Sequence, residues 1–494
     1  MRRGVIARQA RCRVPPTDDR RVDSARLTRR DVVKRLGWAA AGVTGGALAL
    51  EELAPRIWPE HPRVDRNVSY WAAAIPAAGS ALERSTAADV AIVGGGFTGL
   101  SAAYYLRRKL PGRRVVLLEA QRCGNGASGR NGAMLLPSTA DRFMKPGAVP
   151  SLDRRIHELT VANVGALRDL CARTGIDADI ELNGAATVLR TAAEARAAAT
   201  DVAKLRDRGI AAELWSRDRT VAALGAHAYA GAVFVPDAGQ LHPGKLVAAW
   251  KRAAAEAGAE IYEHTTVVQV DEGATHTLTT GSGHAVRAAA LVLATNAYSS
   301  QLGFLRRAFV PVWDYLAITP PLPADQLSAL GWTSRLPFAD TRTEVYYYGL
   351  TRDNRVHIGG GPVDYPFNAG APAPGVVARR RRELQRTLAS LHPSLEPVAF
   401  ETAWQGLVDM SLDESPAVGR CGRHGNVYYA TGFSGHGVNL TSVFGRIIAD
   451  LIAGEDERWH WLPYLNRLPP YVPNEPFRWL GVHASLAAIR ALDR

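Results

Sequence analysis

A glycine-rich hexapeptide is the first group of residues whose types and spacing could do chemistry. Gly94–Gly99 reads GGGFTG, matches G-x-G-x-x-G and directly follows an apolar run at 89–93. In this motif Gly94 permits a tight turn, Gly96 lets the backbone approach a pyrophosphate, and Gly99 lets a helix pack closely on a strand. The helix that begins here would direct free N–H groups and its positive dipole end at phosphates. A plain glycine turn before a core helix, with no ligand, can have the same residues. The surrounding sequence therefore decides between a dinucleotide-binding turn and a plain one.

That context is an acidic residue at the end of the next strand-like run. Glu119 closes the run that begins at Arg114 and lies 20 residues beyond Gly99. A carboxylate at this spacing accepts hydrogen bonds from ribose hydroxyls. It would also repel a 2′-phosphate, which argues against NADP. The pattern therefore indicates a dinucleotide without that phosphate.

A second glycine run follows at once, with the sequence GNGASGRNG over 124–132. Such a run lets the backbone pass close to a ligand, and Ser128, Arg130 and Asn131 supply donors for phosphate or ring carbonyls. Without the neighbouring dinucleotide motif, a flexible surface loop would be the better interpretation.

A third glycine turn, GFSGHG at 432–437, follows a strand at 427–430 and opens an amphipathic helix that ends at Gly454. A helix N-terminus suits a ring that carries negative charge, as a reduced flavin does. His436 in this turn could meet the ring or a substrate. A lone histidine in a turn is also often a capping or solvated residue.

The elements that would position these motifs alternate between strands and helices along much of the chain. Residues 151–230 are rich in Ala, Arg and Leu with helical periodicity, whereas 305–365 alternate and are rich in aromatic residues, which favours an antiparallel sheet. We therefore predict an α/β fold with an α+β second domain. The first domain is Rossmann-like, and the second is built mostly on an antiparallel sheet.

Taken together, the motifs resemble one family, the D-amino-acid-oxidase-type flavoproteins, and within it the gamma-glutamylputrescine oxidase-like proteins. The resemblance runs from about Ser69 to Glu455 and rests on the three glycine motifs and their order. Four shorter stretches also carry it: Leu241-His242-Pro243, Ala294-Thr295-Asn296-Ala297-Tyr298, Asp340-Thr341-Arg342 and Trp404-Gln405-Gly406.

The resemblance implies a two-domain protein whose FAD-binding domain is assembled from separate segments. Its expected parts are a signal at 1–50, a linker or arm at 51–85, an FAD-binding domain at 86–150, 236–304 and 400–456, a substrate domain at 151–235 and 305–399, and a C-terminal extension at 457–494.

It also implies roles for individual residues. The expected FAD-binding residues are Gly94, Gly96 and Gly99 at the pyrophosphate, Glu119 at the ribose, Val267 at adenine, Ala127, Ser128, Arg130 and Asn131 along the flavin, and Gly435, His436, Gly437 and Val438 at its pyrimidine end. Sarcosine oxidases of this family tether the flavin through a cysteine. The corresponding position here is Gly406, and Cys421 lies fifteen residues further on. We therefore expect noncovalent FAD.

The implied activity is oxidation of a C–N bond in a small amine or amino acid, with hydride transfer to flavin N5 and hydrolysis of the imine. The catalytic residues are not evident, and the candidates are His436, Arg342 and Tyr346. Ordinary sheet packing is an equal explanation for each tyrosine of 346–348. The electron acceptor is oxygen or, in a dehydrogenase of the same fold, a quinone or membrane carrier. A non-catalytic flavin-binding accessory protein is the third hypothesis.

The net charge of +12 is concentrated in the first fifty residues. They contain twelve Lys or Arg and four Asp, a net +8. Arg29 and Arg30 precede an apolar run from Leu36 to Leu50 that is too short for a spanning helix and ends near the small-x-small tripeptide Ala47-Leu48-Ala49. This pattern resembles a twin-arginine signal, the address of proteins that are exported folded. A basic arm that binds anionic surfaces is the alternative.

We therefore expect export across the cytoplasmic membrane by the twin-arginine machinery, with a membrane anchor if the signal stays uncleaved. The remaining charge is too small to indicate a nucleic-acid partner, and we expect none. Four scattered cysteines indicate neither a disulfide framework nor a metal site, and we expect no metal.

Overall fold

A computed structural model describes residues 45–60, 68–139 and 149–493 of the 494-residue chain. Arg29, Arg30 and most of the expected signal lie outside the described residues. The α-helices are numbered along the described chain: α1 Gly45–Ile57, α2 Phe97–Lys109, α3 Pro150–Thr174, α4 Ala192–Asp207, α5 Arg217–Leu224, α6 Pro243–Glu256, α7 Ala324–Leu330, α8 Pro374–Leu391, α9 Gly437–Ala453 and α10 Phe477–Leu492.

The strands form two large sheets and one short pair. They are β1 Thr86–Val93, β2 Val115–Leu118, β3 Met134–Leu135, β4 Ala185–Leu189, β5 Glu213–Ser216, β6 Gly231–Val235, β7 Gly239–Gln240, β8 Glu260–Tyr262, β9 Val267–Asp271, β10 His276–Thr280, β11 Ala285–Leu293, β12 Val310–Ile318, β13 Phe338–Asp340, β14 Tyr346–Leu350, β15 Val356–Gly360, β16 Thr402–Met410, β17 Ala417–Cys421 and β18 Val427–Thr431.

The first sheet has a parallel core in the order β18-β11-β1-β2-β8. Its central strands are buried on both faces, which explains why they are continuous apolar runs. Strand β17 adds an antiparallel edge, and the β9–β10 hairpin pairs with the start of β11. The expected Rossmann-like domain is confirmed.

Helices α2 and α9 pack against each other at very close range on this sheet. A Cβ at Gly445 of α9 would lie 2.0 Å from the Ser101 Oγ of α2, so only a glycine allows the approach. Both helices begin at glycine motifs that follow strands, which brings the two helix N-termini to the carboxyl edge of the same sheet.

The second sheet has the order β16-β12-β15-β14-β13-β4-β6-β5 and is antiparallel except between β13 and β4. Strands β12 and β16 pair over their full nine residues, from Val310 opposite Met410 to Ile318 opposite Thr402. This sheet is the mostly antiparallel one that the sequence predicts.

Two segments differ from the sequence analysis. The segment 151–230 is not helical throughout, because strands β4 and β5 lie within it. The alanines and leucines of these two strands suit a helix equally well. Pairing with a neighbouring strand makes the segments β strands, since Ala186 of β4 lies opposite Phe338 of β13, which is far away in the sequence. The segment 400–456 is divided, since β16 belongs to the antiparallel sheet whereas β17 and β18 belong to the parallel one.

The segment 51–85 is also more structured than a linker. Helix α1 begins at Gly45 and packs against the C-terminal segment, where Glu51 accepts hydrogen bonds from the Asn474 backbone N–H at 2.7 Å and from the Tyr471 hydroxyl at 2.6 Å. Trp71, in a short 3₁₀ turn at Tyr70–Ala74, is 1% exposed. Within the part of the chain that is described, no helix has the length and apolar character needed to span a bilayer.

Candidate functional site

One elongated cavity of about 710 Å³ lies between the two sheets. It extends from the Gly94–Gly99 motif and Glu119, past the 124–132 run, to the 432–437 turn and the face of β12. Its size is ordinary for a cofactor or ligand site. The three glycine motifs therefore meet at one place, as the sequence predicts.

The first motif makes the backbone turn that a pyrophosphate needs. Gly94 has φ +107, and a Cβ there would lie 2.5 Å from the Ala294 carbonyl oxygen. A Cβ at Gly96 would lie 2.8 Å from the Ser128 Oγ. Both glycines line the cavity, and any side chain would fill the space beside their backbone.

Gly99 has the packing task that the G-x-G-x-x-G motif predicts, whereas the resemblance groups it with the residues at the pyrophosphate. It does not line the cavity. A Cβ there would lie 1.9 Å from the Gly94 carbonyl oxygen, so Gly99 lets α2 approach the turn. Its role is the close packing of helix and strand.

Glu119 lies immediately after β2, at the cavity wall. Its Oε2 accepts the Gly95 N–H at 2.7 Å and its Oε1 accepts the Gln121 N–H at 3.0 Å. Burial raises the pKa of this carboxyl above its usual range, and the two backbone donors oppose that shift. The side chain therefore braces the glycine turn and faces the space where a ribose is expected.

The 124–132 run is held by its own polar side chains. The Ser128 Oγ accepts the Phe97 N–H at 2.8 Å, which satisfies a free donor at the start of α2. The Asn131 side chain donates to the Ser128 carbonyl at 2.8 Å and accepts the Ala133 N–H at 2.9 Å. Ala127, Ser128 and Asn131 all line the cavity. The Asn131 amide thus shapes the run, a positioning role that the sequence analysis did not assign to it.

Arg130 also lines the cavity and is 3% exposed. Its backbone carbonyl accepts the Trp404 indole N–H at 2.9 Å, and its side chain lies 3.4 Å from the position of a Cβ at Gly406. The carbon chain of Arg130 therefore lies where the glycine run meets strand β16.

A buried acid supports the 432–437 turn. Asp409 accepts the Gly432 N–H at 2.5 Å and the Thr431 hydroxyl at 3.2 Å, and its own carbonyl accepts the Ser434 N–H at 3.2 Å. Burial raises the pKa of the Asp409 carboxyl to about 7. Sequence reasoning missed this residue, although an acid in an otherwise apolar strand is a usable signal.

The residues predicted at the 432–437 turn line the cavity. Gly435, with φ +84, and His436, Gly437 and Val438 line the wall together. The His436 Nδ1 lies 3.3 Å from the Ser434 carbonyl oxygen, and His436 is the residue before α9. The N-terminus of α9 therefore faces the cavity. Val267, at the start of β9, lines the opposite end as expected.

Strand β12 contributes every second residue to the cavity: Val310, Val312, Asp314 and Leu316. The Asp314 carboxylate accepts the Tyr347 hydroxyl at 2.7 Å and the Tyr315 backbone N–H at 2.8 Å. Burial raises the pKa of Asp314 to about 6, and it raises the pKa of the Tyr347 hydroxyl well above its ordinary value. Sequence reasoning missed Asp314 as well.

Of the candidate catalytic residues in the second sheet, Arg342 lines the cavity and Tyr346 does not. The Arg342 guanidinium is ion-paired with the buried Asp340 and lies 5.4 Å from the centre of the Tyr346 ring. Because successive side chains of a strand point to opposite faces, Tyr347 is the tyrosine that faces the cavity. Tyr346 packs beneath Arg342.

The C-terminal helix forms a wall that the motifs do not reveal. Val482, Ser485, Leu486 and Ile489 of α10 all line the cavity. Arg490 of the same helix pairs with Glu344 at 2.9 Å, which joins the helix to the loop after β13. In the sequence this segment is only part of the C-terminal extension expected at 457–494, with no site role.

These features fit FAD. The glycine cradle, a carboxylate facing the ribose position, a second run of close backbone and a helix N-terminus occur in that order along one cavity. Among the described residues, no group of three or more His, Cys, Asp or Glu could hold a metal ion.

Comparison with known proteins agrees with this geometry. Residues 89–451 match the family described as FAD dependent oxidoreductase. The probable oxidoreductase OrdL of Haemophilus influenzae is 30% identical over 75% of this chain and 84% of its own length. Gamma-glutamylputrescine oxidoreductase of Escherichia coli is 30% identical over 78% of this chain and 89% of its own.

The glycine oxidase of Geobacillus kaustophilus is 28% identical over 76% of this chain and 96% of its own. Its crystal structure shares the fold with a TM-score of 0.65, covering 77% of this chain and 98% of that one. The L-proline dehydrogenase of P. horikoshii shares the fold with a TM-score of 0.63 at 20% identity, over 78% of this chain and 98% of its own. The chain therefore belongs to the family of FAD-dependent oxidoreductases and is an FAD-binding enzyme.

Proposed function

We propose that this enzyme oxidises a C–N bond of a small amine or amino acid. The observation that carries the proposal is the continuity of the cavity, which joins the dinucleotide motifs to the side chains of the antiparallel sheet. The printed names of two relatives, gamma-glutamylputrescine oxidoreductase and glycine oxidase, describe nitrogen-bearing substrates and support it. Bound FAD supplies the acceptor for a hydride from the carbon next to nitrogen, and water hydrolyses the imine.

The chain's own residues supply orientation and exclude water. The backbones of Gly94 and Gly96 would hold the pyrophosphate, and Glu119 would accept from the ribose. The N-terminus of α9 would lie toward the negatively charged pyrimidine end of the ring. The substrate would lie against β12 and α10, on the side that the antiparallel sheet covers.

We propose that FAD is bound without a covalent link. Gly406, at the position that carries the tether in sarcosine oxidases, lines the cavity with no side chain, and none of the described cysteines does so. Precipitation of the purified yellow protein with acid should release all the flavin into the supernatant. Yellow colour that stays in the pellet would contradict a noncovalent complex.

The activity is tested by anaerobic mixing of the purified holoenzyme with a panel of amines and amino acids. We expect at least one compound to bleach the flavin absorption. Recovery of the colour in air with formation of hydrogen peroxide would identify an oxidase, whereas recovery only with a quinone would identify a dehydrogenase. If the whole panel leaves the colour unchanged, a non-catalytic flavin-binding role replaces this proposal.

We also propose that the protein is exported folded, by the twin-arginine route, to the cell envelope or beyond. The support is the sequence of the leader together with the need to bind FAD before export. Replacing both Arg29 and Arg30 with lysine should retain the protein in the cytoplasm, as cell fractionation measures. Unchanged export of that double variant would contradict the proposed route.

A further inference from the structure

Six acidic residues line the cavity: Glu119, Asp314, Asp340, Glu344, Asp409 and Glu414. Among the described residues, Arg130 and Arg342 are the basic ones, apart from His436. Glu119 and Asp409 hold backbone turns at the FAD end, where the ligand carries an anionic pyrophosphate, so the total charge of the lining does not set the sign of the substrate. The partners of each charged group at the far end decide which of them is open to a substrate.

Arg342 is poorly suited to bind a substrate carboxylate. Its guanidinium already pairs with Asp340, which is 3% exposed and also accepts the Tyr346 backbone N–H at 3.1 Å. A substrate carboxylate would have to compete with a buried protein carboxylate for the same cation. Breaking such a pair leaves an uncompensated buried charge, which is costly.

Asp314 differs from Asp340 and Glu344, the acids beside it at the far end of the cavity, which are paired with Arg342 and Arg490. Its hydrogen-bond donors are neutral groups, the Tyr347 hydroxyl and backbone N–H groups, and it forms no ion pair with a described residue. It lies opposite Gly406 in the β12–β16 register and lines the cavity wall between Val312 and Leu316. A carboxylate without a cation, next to a ligand cavity, is suited to bind an ammonium group.

The cavity wall becomes apolar on one side of Asp314. Val312 and Val310 follow on the same face of β12, with alternate residues roughly 7 Å apart along the strand. They form one apolar cluster with Val363, Val408, Met410 and Leu412, and with Val482 and Leu486 of α10. An alkyl or aryl group attached to an ammonium at Asp314 would be buried here.

We infer that the substrate is an amine with an apolar body and no carboxylate, whose ammonium group binds Asp314 and whose body lies between β12, β16 and α10. The bound ammonium would give one proton to the Asp314 carboxylate, so that the neutral amine can lose a hydride to bound FAD and the resulting iminium is hydrolysed by water. This inference rests on the proposed function and adds the substrate class. Tyr347 is a positioning residue, because its hydroxyl orients the Asp314 carboxylate.

The test uses pairs of compounds that differ only by a carboxylate: pentylamine with norleucine, and phenethylamine with phenylalanine. Anaerobic flavin bleaching by the holoenzyme is measured for each compound. We expect kcat/KM for each amine to exceed that for its amino acid by tenfold or more. Equal or better reaction of the amino acids would overturn the inference and leave the proposed function standing. If neither member of a pair nor any compound of the wider panel bleaches the flavin, the proposed function itself is wrong.

Variants test whether Asp314 causes the preference for an amine over the matching amino acid. In Asp314→Asn the preference for the amine over its amino acid should fall at least tenfold, mainly through KM, while flavin content stays at one per chain. Tyr347→Phe should reduce the preference less, and it remains informative if Asp314→Asn does not fold. Asp325→Asn, an exposed acid on α7, is the matched control and should match the parent protein. A flavin-loaded Asp314→Asn enzyme with the preference intact would overturn the role of Asp314.

Discussion

The two ends of the cavity are built in different ways. The FAD end is formed by backbone: glycine turns, helix N-termini and hydrogen bonds from N–H groups to Glu119 and Asp409. The far end is formed by side chains that come from β12, β14, β16 and α10. Backbone turns need a few residues in a fixed local order, whereas side-chain walls need only the right shape and polarity.

The family match covers the FAD end and the strands of the far end, but not the C-terminal helix. The family match covers residues 89–451, which contain all three glycine motifs, and ends before α10. Helix α10 nevertheless lines the cavity, and the segment just before it is joined to α1, where Glu51 accepts the Asn474 backbone N–H. The far end is therefore completed by a helix that lies outside the residues matched to the family.

The largest effect of a single substitution is expected at the FAD end of the cavity. In Gly99→Ala the new Cβ would lie 1.9 Å from the Gly94 carbonyl oxygen, and a backbone atom cannot move aside. We expect loss of soluble protein or of more than nine-tenths of its flavin, measured by the ratio of absorbance at 450 and 280 nm. Gly112→Ala, at a turn with nothing within 4 Å, is the control and should keep its flavin. Normal flavin content in Gly99→Ala would show that the close packing is not required.

The second prediction concerns the anchor of α10. Arg478 is 2% exposed and pairs with Glu60 at 3.0 Å and Glu475 at 3.6 Å. Arg478→Met leaves two buried carboxylates uncompensated, so we expect the free energy of unfolding to fall by about 3–5 kcal/mol. Denaturant unfolding measures this.

The control is Arg113→Met, which removes an exposed pair with Asp89 and should cost about 1 kcal/mol or less. If Arg478→Met lowered the free energy of unfolding by no more than Arg113→Met does, the buried ion pairs of Arg478 would not be what holds the C-terminal segment.

The smallest effect is expected at the far end of the cavity. Leu486→Ala removes part of the apolar wall, so kcat/KM for phenethylamine should fall about tenfold while flavin content is unchanged. Leu480→Ala, on the same helix but 54% exposed, should have no effect. Loss of flavin in Leu486→Ala would contradict the separation of the two ends.

The residues that sequence reasoning identified well lie in continuous motifs. Gly94, Gly96, Ser128 and Gly435 line the cavity as predicted, because their function depends on local backbone geometry. Gly99 packs the helix closely against the turn, as the motif itself predicts, and does not line the cavity, where the resemblance had placed it.

The residues that it missed depend on pairing between distant strands. Nothing in the local sequence says that Asp314 lies opposite Gly406, or that Tyr347 rather than Tyr346 faces the cavity. The β strands inside 151–230 were missed for a related reason, because their strand character depends on pairing: β5 pairs with β6, and β4 lies between β6 and the distant β13.

By itself, the sequence determined the FAD-binding half, the cofactor and the presence of a mostly antiparallel second sheet. The dinucleotide site and the second sheet follow from glycine spacing and apolar periodicity, which act over a few residues, whereas FAD as the cofactor was implied by the resemblance of the motifs to a flavoprotein family. The tertiary structure alone decided that Arg342 is neutralised by a buried acid, that Asp314 is not, and that the C-terminal helix closes the cavity. Charge pairing and enclosure depend on which surfaces meet, and those surfaces come from segments that only the folded chain brings together.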